Sequence, residues 1–71
     1  MSRVGQAFLI DHGSGRSTLR FVVGFDEAEG WQLAVFESSG ELRTCFYSEA
    51  TLTYWCATGL LEPPGNVTRL S

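Results

Sequence analysis

The chain has no lysine, a single histidine, two cysteines and two prolines. Without lysine, its five basic residues are all arginine, and they stand against eight acids for a formal charge of −3. A domain that holds duplex nucleic acid through phosphates usually carries a basic excess. That class is therefore disfavoured, although a local arginine patch stays open. One histidine excludes a multi-histidine metal site within one chain. Cys45 and Cys56 form neither a CxxC pair nor a disulfide scaffold, so two free thiols in a reducing cytoplasm are expected. No stretch approaches the roughly 20 apolar residues of a membrane span, and the segment from Met1 lacks a secretory pattern. The glycosylation sequon at Asn66–Val67–Thr68 is then read as a chance match.

What is present points to one small globular domain over residues 1–71. Hydrophobic residues make up 44% of the chain and charged residues 18%, too apolar a balance for a disordered segment. A chain this short buries only roughly 60% of its unfolded surface. Five Phe, two Trp and two Tyr help to offset that shortfall, because each large ring buries on the order of 150–250 Å².

Short apolar segments alternate with turn signals, the pattern of an antiparallel meander. The first strand is expected over Gln6–Asp11, ending in the turn His12–Gly13–Ser14–Gly15–Arg16. The second shows clear period-2 alternation, with Leu19, Phe21, Val23 and Phe25 on one face. After the acidic turn Asp26–Gly30, Trp31, Leu33 and Val35 alternate with Gln32, Ala34 and Phe36. Ser38–Ser39–Gly40 reads as a hairpin, and Leu42–Tyr47 as the fourth strand. Beyond it, Ser48 suits a helix N-cap and Glu49 the first turn, and Leu52, Trp55, Cys56 and Leu60 have helical spacing. Gly59 suits the left-handed end of that helix, with Pro63–Pro64 as a stop. The segment Thr51–Trp55 also has strand propensity. As a fifth strand it would give a small all-β barrel of the SH3-like or OB-like kind.

Few residues suggest chemistry. Asp11 and His12 are adjacent and could cooperate only from a turn; a polar strand end is the simpler reading. Gly13–Ser17 lacks the lysine and following helix of a P-loop. Asp26, Glu27 and Glu29 lack the spacing of a calcium loop. Cys45 has only Arg43 as a positive neighbour on its own strand face, and buried thiols are usually inert. No catalytic residues, metal or cofactor are expected.

The expected fold is α+β, a four-stranded antiparallel meander with one C-terminal helix packed on one face. The helix is expected on the Leu19–Phe21–Val23–Phe25 face. That leaves a second face of Val22, Ala34, Phe36, Cys45 and Tyr47, ringed by Arg20, Arg43 and Gln32, either covered by the chain's own ends or free as an interface. Aromatics and arginine beside apolar ground favour protein interfaces. The expected function is therefore a non-enzymatic accessory or regulatory protein, a homodimer through that exposed face, binding through Arg20, Val22, Phe36, Arg43 and Tyr47. One alternative is a single-stranded nucleic-acid binder using Arg16, Arg20, Arg43 and Tyr47. Another is a small-ligand site formed between protomers by Asp11, His12 or Cys45.

Overall fold

The computed structural model describes residues 2–61 and 65–71. The chain runs through β1 (Ala7–Gly13), β2 (Arg16–Asp26), β3 (Gly30–Phe36), β4 (Leu42–Tyr47), α1 (Glu49–Thr58) and β5 (Asn66–Arg69). All pairings are antiparallel, in the order β4-β3-β2-β1-β5. The architecture is α+β, as expected, but the sheet has five strands rather than four. It is open at β4 and β5, so it is not a barrel.

Local chemistry sets the turns. Ser14 and Gly15 have φ of 56° and 76° between the paired residues Gly13 and Arg16. Positive φ at both central residues marks the two-residue hairpin turn that matches strand twist. Gly30 closes the β2–β3 hairpin at φ 98°, and a Cβ there would lie 2.6 Å from the Tyr47 carbonyl oxygen. Only glycine fits that approach.

The helix forms where its caps place it. The Ser48 hydroxyl accepts from the Thr51 N–H at 3.1 Å. Gly59 turns left-handed at φ 69° and donates its N–H to the Trp55 carbonyl. Of the expected apolar stripe, Leu52 and Trp55 are buried, whereas Cys56 is exposed and Leu60 is 38% exposed. Two anchors suffice because one is large: Trp55 packs edge-on against Phe8 at 5.6 Å and tilted against Tyr47 at 4.8 Å. Burial of each such side chain stabilises by about 1.5–3 kcal/mol. The stop expected at Pro63–Pro64 lies outside the described residues.

The fifth strand follows. The Val67 N–H donates to the Gly59 carbonyl at 2.8 Å, and Leu70 to that of Ala7 at 2.8 Å. Val67 thereby joins Phe8, Ile10, Val22, Leu33, Leu52 and Trp55 in one core between sheet and helix.

That core lies on the face opposite to the one expected. Leu33 and Val35 pair with Val22 and Arg20, and all four are buried on the helix side. Leu19 and Phe21 pair with Phe36 and Ala34 on the other side. An irregularity between Val22 and Gly24 then shifts the register by one residue. Such a bulge reverses every later side chain on the strand. Phe25 consequently stands on the helix side, 4.7 Å from Trp31, and Val23 is exposed. The run Leu19–Phe21–Val23–Phe25 is therefore not one face.

Candidate functional site

The face left open by α1 is apolar across four strands. Leu9 pairs with Leu19, Leu19 with Phe36, and Phe36 with Leu42, so the four form one continuous row. Beside it runs a second row, Ala7, Phe21, Ala34 and Thr44. Phe21 and Phe36 touch edge to face at 5.6 Å. Leu9, Phe36, Leu42 and Phe46 are each at least 40% exposed, and no described element crosses them.

Charge is confined to the ends of this face. Asp11 and Asp26 stand there, at opposite ends of β2's span, and each is engaged with its own turn. Asp11 accepts from the Gly13 N–H at 2.9 Å, and Asp26 from those of Ala28 and Glu29 at 2.8 and 2.9 Å. The strand arginines lie elsewhere. Arg43, Val35, Arg20, Phe8 and Arg69 pair in one row on the helix side.

Only one of the five expected binding residues therefore lies on the open face. Phe36 does. Val22 is 2% exposed and belongs to the core, and Arg20 is 7% exposed under the helix. Tyr47 is half-buried against Trp55. Arg43 is exposed at the rim of the helix side, where it is ion-paired with Glu37. The expected free face is split between the two sides: Ala34 and Phe36 lie on the open one, and Val22, Cys45 and Tyr47 under the helix, because the bulge sets Leu33 and Val35 against Val22 and Arg20.

Arg20 is the unusual member of the covered side. Among the described residues it has no carboxylate partner. Its Nη1 donates to the Tyr47 hydroxyl, and its guanidinium lies 5.4 Å from the Tyr47 ring and 6.0 Å from that of Trp55. The buried Nε has no hydrogen-bond partner among the described residues. Two aromatic faces take the place of a counter-ion, an arrangement that partly compensates desolvation. Burial pushes the Tyr47 phenol up, and the Arg20 charge opposes that shift.

The residues considered for catalysis are dispersed. His12 Nε2 is 3.0 Å from the Thr18 hydroxyl. Its pKa is lowered, by desolvation first and then by Arg20 and Arg16, so the ring is neutral near pH 7. Asp11 is on the other face, and Cys45 is on β4, beyond β2 and β3. Strand spacing puts β1 and β4 roughly 14 Å apart, so these three do not form a set within one chain. Among the described residues, no group of three His, Cys, Asp or Glu side chains is placed to hold a metal ion. Nor, among these residues, is there a helix long and apolar enough to cross a membrane.

A second polar centre holds the chain's start against α1. The Glu49 carboxylate accepts from Arg3 Nε and Nη2, both at 2.7 Å, from Trp31 Nε1 at 2.9 Å and from the Thr53 hydroxyl at 2.8 Å. These donors, Arg3 foremost, hold its pKa at about 2, and the same bonds raise that of Arg3. Every member of this centre is occupied by another.

Sequence reasoning missed Leu9, Leu19, Phe21, Leu42 and Phe46 as members of the open face. Their signal was present as alternation in three strands. It marked two apolar faces and did not say which the helix would take. No protein-family model, curated protein or solved structure matches the chain.

Proposed function

We propose that this chain is a small non-enzymatic accessory or regulatory protein that works by binding protein through the open sheet face. The observation that carries this reading is the uncharged apolar row Leu9–Leu19–Phe36–Leu42, in which Leu9, Phe36 and Leu42 are exposed. Contiguous apolar patches above a few hundred Å² are uncommon on monomers and mark interaction surfaces. A cytoplasmic location fits the two free thiols.

The alternatives have less support. Single-strand binding would need accessible arginines beside stacking rings, but Arg20 is buried, Arg43 is paired with Glu37, and the exposed Arg16 stands at the opposite end of β2 from the Trp31–Tyr47 pair. A ligand site using Asp11, His12 or Cys45 would have to be assembled between copies.

A photo-reactive phenylalanine analogue placed at Phe36, and separately at Tyr54 on the exposed side of α1, tests the reading. Protein adducts in the expressing cell are expected from position 36 and not from position 54. Equal yields at the two positions, or none at 36, would remove it.

A further inference from the structure

Resting on the open-face reading, we infer that the occupant of the face is a second copy of this chain, packed sheet to sheet with the two helices outward. Charge comes first. A two-fold interface sets a surface against itself, so any charge near its centre meets its own like. Here the centre is free of charge: Phe21, on the middle strand, is flanked by Ala7 and Ala34. The acids Asp11 and Asp26 lie at the ends, folded onto their own turns. At a formal charge of −3, two copies repel through the rest of their surface, and this face is where they approach without that cost.

Shape and area agree. The edge-to-face Phe21–Phe36 pair makes a ridge, and the small, partly exposed residue Ala34 beside Phe21 leaves lower ground to receive the ridge of the other copy. A strand spacing of about 4.8 Å and a rise of about 3.3 Å per residue make the face roughly 20 Å square. Two copies would bury on the order of 1,000 Å² together, the lower end for a specific complex. The result is a two-layer sandwich with sheets about 10 Å apart.

Light scattering over a tenfold concentration range, with circular dichroism as the check on folding, tests the inference on the full chain. Wild type is expected at twice 7.8 kDa, and Phe36→Glu as a folded monomer, with Leu42→Lys as the substitute should Phe36→Glu not fold. In a Cys45→Ser/Cys56→Ser background, Ala34→Cys should be joined between copies by a short bis-maleimide, and Ser39→Cys in the β3–β4 turn should not. A dimer indifferent to both charge variants, or joined through Ser39→Cys alone, overturns the sheet-to-sheet arrangement. A wild type that stays monomeric while position 36 still yields protein adducts overturns the second copy and keeps the protein-binding reading. Monomers without adducts remove both.

Discussion

The two faces of the sheet are made of similar residues and live in different surroundings. On the helix side Phe8, Ile10 and Leu33 are fully buried, and even an arginine is enclosed. On the other side Leu9, Phe36, Leu42 and Phe46 keep 40–61% of their surface. The difference does not follow hydrophobicity, since the open side carries fewer charges than the closed one. It follows from which side the single helix reaches. The described residues hold one helix, and a second apolar face is left uncovered by it.

The comparison breaks most visibly on removal of side chains. Trp55→Ala on the closed side should cost about 3–5 kcal/mol, enough to unfold a domain of this size, whereas Leu42→Ala should change monomer stability by no more than about 0.5 kcal/mol. Urea denaturation of both variants in a monomeric background checks this. Comparable losses would mean that the open side is packed too.

Arg20 sharpens the contrast. Arg20→Ala should cost about 2 kcal/mol, because it removes the stem that covers the core and leaves the Tyr47 hydroxyl without its donor. Arg20→Met keeps the volume and should be neutral or stabilising by about 1 kcal/mol, since the two aromatic rings around the guanidinium only partly offset the cost of burying its charge. A large loss with Met would show that the cation itself holds the helix side together.

Gly30→Ala puts a Cβ against the Tyr47 carbonyl at a positive φ, so it should cost about 1–3 kcal/mol. Thermal unfolding measures it, and an unchanged midpoint would mean that the β3–β4 pairing gives way easily. The smallest effect belongs to the exposed Glu49 centre. Its folded pKa of about 2 lies below the usual 4.5, so its contribution is complete above pH 4.5 and lost as pH falls towards 2. Glu49→Gln should flatten that part of the stability profile, and an unchanged acid limb would assign it to other carboxylates.

Much of the local structure was legible because its causes are local. Ser48 and Gly59 cap the helix through bonds to atoms three and four residues away, and Ser14–Gly15 makes its own turn. The fifth strand was not legible. Asn66–Arg69 is only four residues long, and its reason to be extended is the free edge of β1, more than fifty residues earlier. Phe36 does lie on the open face, while Arg20, Val22, Arg43 and Tyr47 lie on the helix side. The one-residue bulge at Val22–Gly24 leaves no mark in alternation beyond a glycine.

The sequence by itself determined the four-strand meander, its turns, the caps that favour a helix after it and the existence of two apolar sheet faces, since these rest on backbone chemistry and side-chain period. Only the tertiary structure decided which face the helix closes, and so which residues are core and which are available. That choice depends on the bulge in β2, on Trp55 reaching Phe8 and Tyr47, and on aromatic rings making room for a buried Arg20. These are contacts between residues far apart in the chain, whose energies are settled only when the elements pack together.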